Sequence, residues 1–451
     1  MNKTGAGVST PLISNINGTE VPAPENKSGA ATLVADKSTT KVVPPGYKQT
    51  KVGVIPEEWD TPRIDMVLRR IRKKVDVEKE RMYQQIGIRS HAKGIFHKEL
   101  VSGEALGNKS VFWVDEDCFI VNIVFAWEQA VAKTTEVEKG MIASHRFPMY
   151  KAKDNKVDID YILYFFKSKR GKHLLGLASP GGAGRNKTLG QKEFSELKLP
   201  LPSLKEQEKI TRIFVTLDDA ISKQDDLIKA KETLKKGLMQ KLLSGDVRFD
   251  GFDGEWEKKK LGDIGDISTG TTPSTKINEY YNNGVYPWIT PTDIQTKKDI
   301  YTSKKLLSEL GLKKGRLIKK NSLLVTCIAS IGKNTILKTD GSCNQQINAI
   351  FVNKKHNVDF LYYLIEYKKH ILISYAGQGG MLMLNKNDFS NLRFMFPLLH
   401  EQEKIAQVLT TADKEIELLK KELEALKEQK RGLMQRLLTG EVRTNNIKEN
   451  E

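Results

Sequence analysis

The feature that most constrains this chain is that it repeats itself. Residues 201–248 align without a gap on residues 396–443, 195 positions later, with 21 identities in 48 positions. The shared blocks are Glu206-Gln207-Glu208-Lys209-Ile210 with its copy at 401–405, and Gly237-Leu238-Met239-Gln240 with its copy at 432–435. Upstream, Gly182, Leu189, Phe194 and Leu197 recur as Gly377, Leu384, Phe389 and Leu392, and Trp59 returns as Trp256. Between these anchors the similarity fades. A repeat of long period dictates architecture, and the order here is variable, shared, variable, shared.

Each shared segment predicts one long helix. In the second copy Ile405, Leu409, Ala412, Ile416, Leu419, Leu423, Leu426, Lys430, Leu433 and Leu437 step alternately by four and three, which is a heptad seam. The equivalent line in the first copy is Ile210, Phe214, Leu217, Ile221, Gln224, Ile228, Lys231, Lys235, Leu238 and Leu242. Pro202 and Ser203 with Glu206 give a start signal of capping-box form, and Gly245 and Gly440 stand where C-terminal caps belong. Leu398 replaces Ser203 in the second copy, so that cap is weaker. About 40 residues at 1.5 Å each make a rod of ~60 Å. A seam that long needs a partner, and the other copy is the nearest.

The variable regions carry mixed apolar and β-branched runs at 110–114, 120–124, 323–328 and 349–352, punctuated by Gly, Pro and Asn, which predicts α+β domains. Residues 160–168 and 359–368 predict short helices. The first 45 residues have few large apolar groups to offset the entropy of ordering and predict a disordered tail. The net charge of +17 favours a polyanionic partner. By segment it is +2 over 1–50, +7 over 51–200, +1 over 201–250, +8 over 251–395 and −1 over 396–451. Fifteen of the seventeen excess charges therefore sit in the variable regions, as expected if those domains face phosphates; diffuse solubilising charge is the plainer reading. No apolar run approaches the ~20 residues of a spanning helix. Cys118, Cys327 and Cys343 form no CxxC pair, and residues 1–20 hold no basic stretch followed by an apolar one, so a reduced, cytoplasmic protein is expected.

The tools of a nucleic-acid enzyme are missing. There is no Asn-Pro-Pro or Asp-Pro-Pro before an aromatic residue, no GxGxxG after a strand and no GxxxxGK[ST], and the seven histidines lie singly, without ligand spacing. What the variable regions do hold is polar loops suited to DNA. In the first, 87–98 mixes glycines with Arg89, Ser90, Lys93 and Lys98, and 179–187 ends on Arg185, Asn186 and Lys187. In the second, the matching stretches carry Thr271, Thr272 and Ser274, then Thr290 and Asp293, then Asn344 and Gln345, then Gln378. Glycines let a backbone approach a duplex, Arg bonds a guanine edge, and Asn or Gln an adenine edge. Ordinary turn chemistry accounts for any one of these residues equally well, and Trp288 reads as core before contact.

The whole pattern resembles a type I restriction-modification specificity subunit over residues 50–444. The resemblance rests on Trp256, Leu261-Gly262-Asp263-Ile264, Gly270 to Ser274, Pro287-Trp288-Ile289 to Asp293, Ile331-Gly332-Lys333, Asn344-Gln345, and Gly377 through Phe389 into Pro397 to Glu403. The first half departs from it, with Pro62-Arg63-Ile64 at the Leu-Gly-Asp position and no Thr-Pro-Ser. The resemblance implies two α/β target-recognition domains (46–200 and 249–395) separated by two long helices (201–248 and 396–444) that form an antiparallel coiled coil with internal pseudo-two-fold symmetry, and short tails at 1–45 and 445–451. Helix pairing falls to Ile210, Phe214, Leu217, Ile221, Ile405, Leu409, Ile416, Leu419 and Leu423, and Lys333 joins the DNA-facing set. The implied partners are double-stranded DNA, two modification (methyltransferase) subunits and restriction (translocase/nuclease) subunits, with no membrane. S-adenosylmethionine, ATP and Mg2+ would be held by those subunits and none by this chain, which would catalyse nothing. A coiled-coil scaffold with basic domains and no sequence-specific DNA role is the alternative.

Overall fold

The computed structural model describes residues 43–181, 187–295, 297–376 and 382–444. The tails expected at 1–45 and 445–451 lie almost wholly outside the described residues. Four helices organise the rest: α1 (Ile159–Lys167), α2 (Leu204–Ser244), α3 (Val358–Tyr367) and α4 (Leu399–Leu437).

Each half contains the same sheet. In the first half the order is Leu68–Ile71, Met149–Ala152, Phe119–Val121, Val131–Lys133, with every neighbour antiparallel. In the second it is Gly265–Thr269, Ile347–Val352, Ser322–Thr326, Asn334–Leu337, followed by Asp299–Ile300 as a parallel edge. Strands covered on both faces need apolar groups at consecutive positions, because successive side chains point opposite ways. Phe119 and Val121 accordingly enter one core while Ile120 enters another. In the second half Leu323 and Val325 part in the same way from Leu324. Any pair of apolar residues serves this purpose, so the frame persists where sequence similarity has faded. A second sheet accompanies each frame sheet: Ile95–Ser102, Met82–Ile88, Ile142–Ser144 and Val111–Trp113 in the first half, Leu306–Leu307, Tyr286–Ile289 and Ser342–Cys343 in the second.

Helices α1 and α3, shifted by one residue from the predicted 160–168 and 359–368, are apolar nearly all round and accordingly buried. The register of the first half differs from the sequence expectation. Ile64–Val67 forms the same single turn as Leu261–Ile264, with Ile64 N–H donating to Leu197 O and Leu261 N–H to Leu392 O, both at 2.9 Å. Ile64-Asp65-Met66, and not Pro62-Arg63-Ile64, therefore holds the Leu-Gly-Asp place. What that turn requires is one buried aliphatic plug at its start, and the glycine within it is dispensable: a Cβ on Gly262 would meet nothing closer than 3.4 Å.

Helices α2 and α4 pair as an antiparallel coiled coil. The ten seam positions of each are buried or half-buried, and reciprocal ion pairs fix the register. Lys430 reaches Asp218, while its repeat equivalent Lys235 reaches Asp413 at 2.5 Å. Each of these carboxylates also accepts a tyrosine hydroxyl from its own domain, Tyr164 on Asp218 at 2.8 Å and Tyr363 on Asp413 at 2.6 Å. At the ends, Arg443 grips Glu206 at 2.8 and 3.0 Å, and Arg248 grips Glu401 at 2.9 and 2.7 Å. Midway between these pairs, near Asp226 and Leu227 of α2, runs the pseudo-two-fold axis.

The ends of both helices also finish the domain cores. Ile210 and Phe214 of α2 join Leu437 and Leu438 in the first core, and Ile405 and Leu409 of α4 join Leu242 and Leu243 in the second. Ile221, Leu217, Ile416, Leu419 and Leu423 lie further along the seam, where the helices face mainly each other. Ser203 caps α2 by accepting from Glu206 N–H, and Leu398 gives α4 no side-chain cap. The other half of the expected capping box does not form, because Glu206 is held by Arg443 and by Trp59 Nε1 instead. Gly245 is the left-handed C-cap of α2, whereas α4 is capped by Leu438, two residues before Gly440. At Gly440, with φ +75°, a Cβ would come within 2.4 Å of Pro56.

Removing the arginine from a nearly inaccessible carboxylate strands the buried charge. Arg443→Met is therefore expected to cost about 3 kcal/mol, and Glu206→Gln added to it to recover part of the loss. Chemical denaturation of the single and double variants checks this; equal midpoints for wild type and Arg443→Met would refute it.

Candidate nucleic-acid interface

Strand register gathers the candidate loops at one end of each frame sheet. In the second half Thr269 faces Asn348, Thr326 faces Ile347 and Val325 faces Asn334, so the chain leaves or enters the sheet at one end after 269 and 326 and before 334 and 347. Thr271 N–H donates to Cys343 O at 2.8 Å, Trp288 Nε1 to Thr271 O at 3.0 Å and Asn344 N–H to Ile289 O at 2.9 Å. Only glycine fits at 270, where a Cβ would stand 2.3 Å from the carbonyl oxygens of Cys343 and Asn344.

Within this cluster the side chains divide into two groups. Asp293 accepts from Thr290 N–H and Oγ1 with one oxygen and from Lys304 N–H with the other. Asn344 is buried and bonded to Gln346. Trp288 is buried with Lys305 lying 6.0 Å over its ring. These residues shape the loops. Thr272, Ser274, Gln345 and Lys333 are exposed, with Thr272 Oγ1 donating to Gln345 Oε1 at 2.6 Å. Thr271 Oγ1 is buried without a partner among the described residues. Gln378 lies outside the described residues.

The first half has a hairpin in the corresponding place. Ile71 and Ile120 both face Met149, and Val121 faces Val131, so the frame strands open towards the same end. The strands Met82–Ile88 and Ile95–Ser102 pair there, and the loop between them carries Arg89, Ser90 and Lys93. Phe96 lies across Gly87, where a Cβ would come within 2.2 Å of its ring, and the Arg89 guanidinium sits 4.7 Å over that ring while donating to Ile95 O. The hairpin tip is tied down: His91 N–H donates to Glu128 O at 2.7 Å and Ala92 N–H to Gln129 O at 2.8 Å. Gln129 Nε2 in turn donates to Phe166 O at 2.9 Å, linking the tip to α1. On the second strand His97 Nε2 meets Glu138 at 3.0 Å. Burial alone would raise the Glu138 carboxyl, but hydrogen bonds from Thr135 and His97 outweigh it and hold it below the usual value. Lys93 and Lys98 are exposed beside this scaffold. Lys187 lies 5.8 Å from the Trp127 ring, and Leu189 N–H donates to Ile123 O as Leu384 N–H does to Cys327 O. Arg185 and Asn186 lie outside the described residues.

Sequence reasoning did not find the supports Gln129 in the first half and Lys304 and Lys305 in the second. The Lys304-Lys305 doublet was the one visible signal. Burial pushes the Cys118 thiol up to about 11 and the Cys327 and Cys343 thiols up to about 12, so these sulfurs are packing groups and not nucleophiles. Among the described residues no three His, Cys, Asp or Glu side chains are grouped to hold a metal ion, and no helix is long and apolar enough to cross a membrane.

Known proteins share this repeated organisation. The family described as type I restriction modification DNA specificity domain matches twice, over residues 56–231 and 253–428. The type I restriction enzyme MjaVIII specificity subunit of Methanocaldococcus jannaschii is 26% identical over 422 residues, covering 87% of this chain and 95% of its own. Two crystal structures share the fold. The S subunit of a type I restriction-modification system from M. genitalium has a TM-score of 0.53 at 15% identity, covering 84% of this chain and 96% of its own. The HsdS subunit from Thermoanaerobacter tengcongensis has a TM-score of 0.50 at 16% identity, covering 86% and 98%. With the family matched in both halves of its repeat, the chain belongs to the type I restriction-modification specificity subunits, the non-catalytic chains of those enzymes that recognise DNA.

Proposed function

We propose that the two halves read the two parts of a bipartite, asymmetric DNA site, with 46–200 and 249–395 as target-recognition domains and the helices within 201–248 and 396–444 as the spacer between them. The observation that carries this reading is one frame used twice about a pseudo-two-fold axis, with unlike loops at the same end of each copy. Domains so related meet a duplex on opposite strands, and because their loops differ the half-sites differ instead of forming a palindrome. Exposed Arg89, Lys93 and Lys98 with half-buried Ser90 and Lys187 in the first domain, and exposed Thr272, Ser274, Gln345 and Lys333 in the second, would meet DNA. Arg185, Asn186 and Gln378 belong with them by sequence. Thr271, Thr290, Asp293 and Asn344 would act mainly by holding those loops in shape.

The complex would form in the cytoplasm, with two modification subunits carrying S-adenosylmethionine and methylating adenine N6, and restriction subunits using ATP and Mg2+. The family match in both halves weighs against a scaffold without a DNA role.

Two outcomes follow. Arg89→Glu with Lys93→Glu should weaken binding to target DNA and flatten its salt dependence by about two in log–log slope while the fold persists. Fluorescence anisotropy across a salt series measures this, and an unchanged slope would remove the hairpin from the interface. Inserting four residues after Gln224 and four after Leu419, which are joined by a 3.1 Å hydrogen bond, lengthens both helices by ~6 Å. The spacer should then grow by about one to two base pairs at ~3.4 Å each. Single-molecule methylome sequencing of cells expressing either chain with its modification partner reads the motif. A continuous or palindromic wild-type site would overturn the two-domain reading, and an unchanged spacer in an active insertion variant would overturn the helical ruler.

A further inference from the structure

The second domain holds a cleft that the reading loops do not use. Strand Ile347–Val352 starts beside Asn344 and ends at the turn 353–357, so that turn lies roughly 20 Å from the loops along the six residues of the strand. The turn and strand Glu257–Lys260 border an open cleft of about 500 Å3 lined by Lys259, Asp263, Asn353, Lys354, Lys355 and His356. Lys259 meets Glu257 at 2.9 Å, but Lys354 and Lys355 are exposed and make no ion pair among the described residues. The one carboxylate in the lining, Asp263, accepts Lys260 N–H at 3.0 Å. The turn leads directly into the N-terminus of α3, the positive end of that helix.

His356 registers the resulting field. It is 9% exposed, its ring is edge-on to Phe396, and Nδ1 lies 2.8 Å from Asn353 Oδ1. Burial, then Lys259 and Lys355, push its pKa down, and Glu257 opposes them only weakly. The first domain has the same turn with two of its lysines engaged. Lys153 N–H donates to Val67 O as Asn353 N–H does to Ile264 O, but there Lys153 Nζ reaches Asp65 O at 2.6 Å and Lys156 meets Asp154 at 3.7 Å. The shared frame therefore does not require unpaired lysines at this turn.

We infer that this cleft binds a phosphate group, and that its occupant is the phosphodiester backbone of DNA lying away from the reading loops. Lysines without an arginine fork suit phosphate as point charges and carry no sequence information. The inference rests on the DNA-recognition reading above. The test uses the full chain and its Lys354→Glu/Lys355→Glu variant, with three probes: inorganic pyrophosphate, a duplex lacking the site, and a duplex carrying it. In wild type, pyrophosphate should raise the His356 pKa, read from its ring Cε1 resonance and assigned with His356→Gln; the variant should lose this response. For the duplex lacking the site, the salt slope of the variant should be shallower by about two. The ratio of site to non-site affinity should be unchanged. An unchanged slope overturns the DNA assignment. If pyrophosphate still shifts His356 in that case, the cleft takes a small free anion, and if the variant instead loses a modification subunit, it takes an acidic protein surface. Absence of site discrimination in wild type would be a failure of the recognition reading, separate from the cleft.

Discussion

The architecture depends on two guanidinium–carboxylate pairs that bind the end of each repeat to the start of the other. Arg248 closes on Glu401 and Arg443 on Glu206, each through two hydrogen bonds onto a carboxylate with almost no solvent. A bidentate pair fixes orientation as well as distance. With both ends pinned, the seam between them has a single register available, and the Lys–Asp pairs nearer the axis repeat that register. Polar positions in an otherwise apolar seam specify one alignment at some cost in stability, which accounts for Gln224, Lys231, Lys235 and Lys430 on the pairing face.

This frame separates what must stay fixed from what can change. The central frame strands Phe119–Val121 and Ser322–Thr326 are buried throughout, so the sheet ends from which the candidate loops leave are set by cores that those loops do not themselves build. The loops are then held by further bonds, such as Thr290 on Asp293 within its own turn and Ala92 N–H on Gln129 O at the hairpin tip. A loop anchored at its root and braced at its tip presents side chains with little motion to lose on binding.

The coiled coil was legible because a three–four apolar step over forty residues has few other physical meanings, and the equal spacing of the two copies made each the natural partner of the other. The Arg–Glu clamps were not, since Arg248 and Glu401 are 153 residues apart and appear in sequence only as letters shared by two blocks. The common sheet was hidden for another reason. Phe119-Ile120-Val121 and Leu323-Leu324-Val325 do the same work with different side chains, so identity falls while topology persists. At the interface, residue type alone could not separate Asp293 and Asn344, which fold inward to hold their turns, from Thr272 and Gln345, which stay exposed; short polar side chains serve both purposes.

The sharing of helix ends between domains sets an order for synthesis. The first core contains Leu437 and Leu438, so a nascent chain that has already made its first domain and the whole of α2 still lacks two of the side chains that close that core. The second core is completed by Leu242 and Leu243, which are made before any of its strands, and by Ile405, Ala406 and Leu409. Domains ordinarily fold in the order they leave the ribosome. Here the later domain has all its parts first, and the earlier one stays open until the last turn of α4 arrives to cover it.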